Sequence, residues 1–172
     1  MKNVRVYDIF DESFGEKISK KYYEMQHLEK PDALGEGFFC MTINPENCPD
    51  GFKALHKALI ASVEQSCQEY IDNYILMPPY YLGKDITFCR YPTGKFHKMH
   101  IDHAADHSIA ALLYVNTIEN GGETVFPDHD IKQKAEAGKL VVFPMDFTYP
   151  HASLPNLDKK DRIILRDRKS VV

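Results

Sequence analysis

Short β-rich segments separated by turn residues make up the second half of the chain, and this pattern restricts the fold more than any other feature. The segments are 86–91, 109–115, 140–143 and 162–165, and they are rich in β-branched and aromatic residues. The turn signals between them are Pro92-Thr93-Gly94, Asn120-Gly121-Gly122 and Ala137-Gly138. These intervals suit antiparallel strands and leave no room for crossover helices. We therefore expect a β-sandwich or barrel from about residue 85 onward.

The first half of the chain has a different pattern, which predicts mainly helices. Helices are expected over about 13–29 and 51–76, and strands over 4–9 and 38–43. Ser13 and Glu16 form a capping-box pattern at the start of the first helix. Apolar residues recur every three or four positions from Phe52 to Tyr74 and form one stripe on the second helix. We expect this apolar stripe to pack against a β-sheet.

Size and charge narrow the class of protein. A chain of 172 residues and 19.8 kDa is about the size of one domain. We expect a single domain over 1–172, mostly β with supporting α-helices, in which helices and flanking strands over 1–84 back a β core over 85–168. The net charge of −4 and the absence of a long basic run argue against nucleic acid and anionic membranes as partners.

Targeting and redox signals point to the cytoplasm. The first residues lack the apolar core of a signal peptide, and no apolar stretch approaches the roughly 18 residues needed to span a bilayer. The four cysteines are Cys40, Cys48, Cys67 and Cys89. They form no C-x-x-C pair, which argues against a structural zinc site and a disulfide framework. We expect buried free thiols and a cytoplasmic location.

A candidate metal site begins with His100-Ile101-Asp102. On a strand, the first and third of these side chains point to the same face and can bind one ion. Closure of a β-barrel would bring a third candidate, His151, against them. Two imidazoles and one carboxylate leave the opposite coordination positions open, as non-haem Fe(II) requires. A catalytic zinc also takes three protein ligands, so the triad alone does not decide the reaction.

An acid-binding pair accompanies this triad. Arg162 opens the strand after His151, where its forked donors can hold a carboxylate bidentately. Tyr114 ends the strand that follows the metal pair and can donate a second hydrogen bond. A dicarboxylic keto acid could then bind the metal at one end and the arginine at the other. A zinc hydrolase has no need of such a pair.

Several ordered motifs connect these residues to a known family. They are Arg90-Tyr91-Pro92-Thr93-Gly94-Lys95-Phe96 leading into the His100 pair, Leu112-Leu113-Tyr114-Val115-Asn116, Gly121-Gly122-Glu123-Thr124-Val125-Phe126, Gly138-Lys139-Leu140-Val141-Val142-Phe143-Pro144, and His151-Ala152-Ser153-Leu154-Pro155. With them, the region from about Ile86 to Arg168 resembles the Fe(II)- and 2-oxoglutarate-dependent dioxygenases, in their prolyl 4-hydroxylase-like branch. The resemblance implies a double-stranded β-helix (jelly-roll) core backed by the N-terminal helices.

The resemblance also implies roles for individual residues. The iron ligands are His100, Asp102 and His151; Arg162 binds the 5-carboxylate of 2-oxoglutarate, Tyr114 is its second donor, and Tyr91 lines the cosubstrate pocket. The implied cofactors are Fe(II), 2-oxoglutarate and O₂, with ascorbate as a further candidate. The implied reaction hydroxylates an unactivated C–H bond, with a peptide or protein residue favoured as substrate, and converts 2-oxoglutarate to succinate and CO₂. The presence of Asp102 indicates a hydroxylase, because halogenases of the family lack this carboxylate.

Two departures leave alternatives open. Arg162 follows His151 by one position more than the basic residue of many relatives, which makes Lys160 the alternative anchor. His97 stands where many prolyl hydroxylases have tyrosine. The roles of His97, His103 and His107 stay open, and the last two are candidates for a substrate loop. The remaining histidines, expected to be structural, are His27, His56 and His129.

Two other functions compete with the hydroxylase. One is a non-catalytic module that binds the metal or 2-oxoglutarate without turnover. The other is a cupin-like metalloenzyme that uses zinc or manganese, although such sites usually recruit more histidines. The sequence identifies neither the substrate nor the oligomeric state.

Overall fold

The structure is a computed structural model that describes residues 3–33, 35–73, 80–81, 84–102 and 108–171. The α-helices are α1 (Glu12–Glu24) and α2 (Lys53–Asp72). The strands are β1 (Arg5–Asp8), β2 (Lys30–Pro31), β3 (Phe39–Ile43), β4 (Tyr80–Tyr81), β5 (Ile86–Tyr91), β6 (His97–His100), β7 (Ser108–Tyr114), β8 (Thr124–Phe126), β9 (Ile131–Gln133), β10 (Lys139–Met145), β11 (His151–Ser153) and β12 (Arg162–Val171).

Two antiparallel sheets form the β core. The larger has the strand order β1-β10-β7-β12-β5-β3-β2, with β4 paired to β12. The smaller has the order β6-β11-β8-β9. Phe126 of the small sheet meets Phe143 of the large sheet edge to face, with ring centroids 4.8 Å apart. The two sheets therefore face each other, and the expected jelly-roll core backed by helices is confirmed.

Each face of the large sheet covers its own apolar cluster. The outer face packs against the helices, where Ile18 of α1 and Val63 of α2 are fully buried with Leu165 of β12. The inner face packs against the small sheet, where Ile164 lies with Tyr91 and Phe143. Because successive residues of a strand point to opposite faces, β12 sends Ile163 and Leu165 to the helices and Arg162, Ile164 and Arg166 to the space between the sheets. The stripe on α2 is thus covered by a sheet, as predicted.

The first helix differs from the prediction at both ends. Asp11 is the N-cap, since its carboxylate accepts a hydrogen bond from the backbone N–H of Phe14 at 2.9 Å. Ser13 does not cap the helix but donates its hydroxyl to the same carboxylate at 2.8 Å. The α-helix ends at Glu24, before the predicted Glu29. Glu29 is instead extended and pairs with Arg90 of β5 at 2.7 Å.

Other boundaries also shift. The second helix begins after a 3₁₀ turn over Asp50–Phe52, and its predicted end at residue 76 lies outside the described residues. The predicted strand over 162–165 continues to Val171, because β12 pairs with β5, β7 and β4 in turn. Cys40 is half-buried, whereas the other three cysteines are buried as expected. Among the described helices, none combines the length and apolarity that a bilayer span requires.

Candidate active site

The predicted metal ligands come together at one edge of the small sheet. His151 of β11 lies directly opposite His100 of β6 in the strand register. The spacing predicted that Asp102 lies on a strand with His100, but Asp102 lies just past the end of β6. A register shift in the pairing of β6 with β11 marks a local bulge. Bulges change the direction of a side chain beside a functional site, and here all three predicted ligands point to one place.

Ligating atoms of the three side chains lie within 4.8 Å of one another. Asp102 Oδ1 is 3.8 Å from His100 Nε2, and Asp102 Oδ2 is 3.8 Å from His151 Nε2. Donor atoms separated in this way can share one ion that lies about 2.1 Å from each. The two imidazole rings are also close, with centroids 4.3 Å apart. The donor set of two nitrogens and one oxygen fits Fe(II) with open coordination positions.

Backbone carbonyls hold both histidines in the orientation that metal binding needs. The Nδ1 atom of His100 lies 2.8 Å from the carbonyl oxygen of Lys98, and that of His151 lies 3.2 Å from the carbonyl of Tyr149. A proton donated from Nδ1 leaves the lone pair on Nε2 directed at Asp102. Burial lowers the pKa of His151 to about 4. His151 is therefore neutral near pH 7 and able to bind a metal.

Asp102 has one satisfied oxygen and one orphaned oxygen. Its side chain is almost fully buried, and Oδ1 accepts a hydrogen bond from Arg168 Nη2 at 2.5 Å. Oδ2 is buried with no hydrogen bond. A buried carboxylate oxygen without a partner is unfavourable unless a ligand satisfies it. Since this oxygen faces His151 and the other oxygen of the same carboxylate faces His100, a divalent metal ion fits the site.

Arg162 lies at the base of the same cavity and is 1% exposed. Its Nη1 donates to the carbonyl of Gly122, and its guanidinium lies 4.1 Å from the ring centroid of Tyr91. Nε and Nη2 are buried and have no hydrogen-bond partner. These two atoms form one edge of the guanidinium, which matches the two oxygens of a carboxylate. The site thus fits an acidic cosubstrate as well as a metal.

The structure separates the two proposed anchors. Lys160 is exposed and borders a different cavity, together with Tyr23 and Asp161. Arg162 lies opposite Tyr91 in the pairing of β12 with β5. Between these two residues, only Arg162 lies in the cavity with the metal triad.

Tyr114 reaches the cavity through another residue. It is fully buried, and its hydroxyl donates to Thr124 Oγ1 at 2.6 Å. Thr124, rather than Tyr114, is among the described residues that line the cavity. A direct hydrogen bond from Tyr114 to 2-oxoglutarate stays a prediction. Thr124 could not be identified from the sequence, because a lone threonine in a strand carries no distinctive signal.

His97 and Arg166 also border the cavity, which opens to solvent. His97 stacks on His100 with ring centroids 3.9 Å apart, and burial lowers its pKa to about 4. At neutral pH, its 3.6 Å contact with Glu36 is therefore not an ion pair. Arg166 also lines the cavity and was not foreseen. His103 and His107 lie outside the described residues.

Comparisons with known proteins agree with this site. Residues 86–167 match the model of the 2OG-Fe(II) oxygenase superfamily. No curated protein sequence shows significant similarity to the chain.

Solved structures of prolyl hydroxylases share the fold. A viral collagen prolyl hydroxylase from Paramecium Bursaria Chlorella virus-1 is 18% identical, with a TM-score of 0.73 over 99% of this chain and 97% of that one. A Pseudomonas putida prolyl-4-hydroxylase is 18% identical, with a TM-score of 0.74 over 99% and 93%. A Trichoplax adhaerens prolyl hydroxylase, in complex with a hypoxia inducible factor peptide fragment, is 16% identical, with a TM-score of 0.78 over 98% and 83%.

The matched segment contains every described residue that lines the cavity, including the whole His-Asp-His triad. The cofactors of the matched superfamily are Fe(II), 2-oxoglutarate and O₂. The orphaned oxygen of Asp102 fits the metal ion, and the free edge of Arg162 fits a carboxylate of 2-oxoglutarate. Residues 86–167, which contain the whole candidate site, are therefore similar to the 2OG-Fe(II) oxygenase superfamily.

Proposed function

We propose that this protein is an Fe(II)- and 2-oxoglutarate-dependent dioxygenase that hydroxylates an unactivated C–H bond of a peptide or protein residue, as prolyl hydroxylases do. One observation carries the proposal. The orphaned carboxylate oxygen of Asp102 and the two orphaned donors of Arg162 border the same cavity. A metal and a dicarboxylic keto acid would satisfy all three buried atoms together.

The reaction divides between the bound groups and the protein. Bound Fe(II) and 2-oxoglutarate supply the oxidative chemistry, in which O₂ is used and 2-oxoglutarate is converted to succinate and CO₂. His100 and His151 would hold the metal through their Nε2 atoms, and Asp102 through a carboxylate oxygen. Arg162 donates from Nε and Nη2 to the distal carboxylate of 2-oxoglutarate. Tyr91 packs against the guanidinium and keeps it in place.

Thr124 and Tyr114 extend the hydrogen-bond network of the cosubstrate. With the proton of Tyr114 donated to its oxygen, Thr124 has its own hydroxyl proton left for a second acceptor. We propose that the 5-carboxylate of 2-oxoglutarate is that acceptor, so that Tyr114 acts through Thr124.

Support for a peptide substrate comes from the similar structures. They include prolyl hydroxylases, one of them in complex with a peptide fragment. A cytoplasmic location is part of the proposal, since the four cysteines are free thiols, as is usual in a reducing compartment.

The first test needs no substrate. The Fe(II)-loaded protein is titrated with 2-oxoglutarate without oxygen, and the visible metal-to-ligand charge-transfer band is followed. Air is then admitted and succinate is measured. We expect a saturable band and slow succinate release. Lys160→Ala is the matched control for Arg162→Ala, and only the arginine variant should weaken the band.

The outcomes separate the competing functions. A band without succinate, even in the presence of peptide substrates, would indicate a non-catalytic binding module. Bound iron with no band would favour a cupin-like metalloenzyme and would contradict the proposal. Asp102→Ala is expected to lose both the metal and succinate formation, and full turnover in that variant would also contradict it.

A further inference from the structure

Cys40 and Cys89 face each other across two neighbouring strands. They are paired residues in the register of β3 with β5, and their sulfur atoms are 3.4 Å apart. Both are free thiols. Cys89 is 1% exposed, whereas Cys40 is half-buried and reachable from solvent. The sheet thus holds two thiols in contact, with one of them open to small molecules.

The backbone geometry suits a covalent bond between these sulfurs. Directly opposite residues of antiparallel strands have Cβ atoms about 4.5 to 5.5 Å apart. A disulfide needs a Cβ separation of about 3.5 to 4.5 Å. A small approach of the two strands is therefore enough, and no part of the sheet has to unfold.

The surrounding charges favour a thiolate on Cys89. A hydrogen bond from Cys40 lowers the pKa of the Cys89 thiol, and the positive charges of Arg166, Arg162 and Arg168 lower it further, against the opposing effect of burial. The pKa of Cys40 is raised in turn, mainly because it donates that hydrogen bond. The thiolate is the nucleophile in cysteine oxidation, so a buried pair of this kind is more reactive than an isolated buried thiol.

We propose that Cys40 and Cys89 form a redox-active dithiol that hydrogen peroxide oxidises to an intrachain disulfide. The proton of Cys40 passes to the neighbouring Cys89 thiolate, and the solvent-accessible Cys40 sulfur attacks one peroxide oxygen; the O–O bond breaks, and the departing hydroxide takes the proton from Cys89 to form water. The Cys89 thiolate then attacks the sulfenic sulfur of Cys40, and hydroxide leaves. The two sulfurs lose two electrons in total, and peroxide gains them. This site does not depend on the proposed hydroxylase function.

The test uses the 172-residue chain in the presence of a metal chelator, which prevents iron-catalysed oxidation. The folded protein is treated with a small excess of hydrogen peroxide, unfolded in acid, and alkylated. We expect the intact mass to fall by two hydrogen atoms and alkylation to drop from four thiols to two. Protease digestion should yield one linked peptide pair that contains Cys40 and Cys89, and dithiothreitol should restore all four thiols.

Matched variants test the specificity of the pair. Cys48 and Cys67 pack in the helix-backed core, so C48S and C67S should form the same linkage. C40S and C89S should form none. The measurement on the wild-type protein stands even if a variant fails to fold. A wild-type protein that keeps four alkylatable thiols, links other cysteines, or accumulates sulfenic or sulfinic acid on Cys40 or Cys89 without a disulfide would overturn the proposal.

Discussion

Replacing Arg162 with methionine should remove cosubstrate binding while leaving the stability of the ligand-free protein nearly unchanged. Methionine keeps much of the side-chain volume and removes the charge. The variant loses the hydrogen bond to Gly122, which contributes about 1.5 to 3 kcal/mol. It also loses the cation–π contact with Tyr91, which contributes about 2 kcal/mol. It also removes two buried donors that lack partners, each unfavourable by about 1 to 3 kcal/mol. These effects nearly cancel.

The effect on 2-oxoglutarate does not cancel. Two hydrogen bonds from a charged group to the carboxylate contribute about 1.5 to 3 kcal/mol each. Their loss corresponds to about 3 to 6 kcal/mol, or two to four orders of magnitude in Kd at about 1.4 kcal/mol per tenfold change. Nε and Nη2 of Arg162 therefore lower the folding stability of the ligand-free protein and stabilise the complex with 2-oxoglutarate.

Thermal unfolding with and without the cosubstrate measures both effects. At a 2-oxoglutarate concentration about 100 times the wild-type Kd, binding adds about 2.7 kcal/mol, which raises the Tm by roughly 5 to 11 °C for a protein of this size. For Arg162→Met the same concentration should add at most about 0.4 kcal/mol. Lys160→Met is the control and should respond like the wild type. If Arg162→Met still bound 2-oxoglutarate within tenfold of the wild type, the assignment of Arg162 would be refuted.

Three further predictions test the site and the fold. Arg168→Ala removes the ion-pair partner of the buried Asp102 carboxylate. It should destabilise the metal-free protein by about 1 to 3 kcal/mol, a value discounted because Arg168 is partly exposed. In a thermal unfolding assay, a divalent metal should restore most of the lost stability, and an unchanged Tm of the metal-free variant would contradict the prediction. Gly138→Ala would place a Cβ 1.8 Å from the backbone oxygen of Phe10. The control is Gly94→Ala, because Gly94 has a similar positive φ but open surroundings, and this control should lower the free energy of unfolding by roughly 1 kcal/mol. Gly138→Ala should lower it several times more, and equal decreases in urea unfolding would show that the Phe10 contact is unimportant. Burial raises the pKa of Glu29, but hydrogen bonds from Arg90 and Tyr22 outweigh burial and lower this pKa below 4.5. The contribution of Glu29 to stability is therefore present above pH 4.5 and is lost as the pH falls through the lowered pKa. Glu29→Gln should flatten this part of the dependence of the unfolding free energy on pH.

The parts of the fold that were predictable have strong periodic patterns. The stripe on α2 and the apolar runs of β5, β7, β10 and β12 each had enough residues to show their period. The strands of the small sheet are too short to show a period. These strands, which mix polar with apolar side chains and are three or four residues long, are β6, β8, β9 and β11. Their pairing depends on contacts between distant segments, which local patterns do not contain.

The same distinction applies to the site. His100, Asp102 and His151 could be found because few residue types bind metals and because the neighbouring motifs supported them. Thr124, Arg166 and Arg168 could not, since hydroxyl and guanidinium groups are common on strands. The alternation along β12 explains two of them in retrospect, because Arg166 and Arg168 share the face of Arg162. The choice of Asp11 over Ser13 as N-cap likewise depended on backbone geometry at a site where both residues are suitable.

The central place of β12 in the large sheet has an evolutionary consequence. This strand is hydrogen-bonded to β5 on one side and β7 on the other, and a slip of one residue would exchange its two faces. Insertions and deletions are therefore far better tolerated in the turn over 154–161 than in the strand itself. Homologues can drift in the interval between the distal histidine and the cationic anchor while the anchor keeps its place opposite Tyr91. Searches that require a constant interval will overlook such homologues, whereas alignment on the strand will recover them.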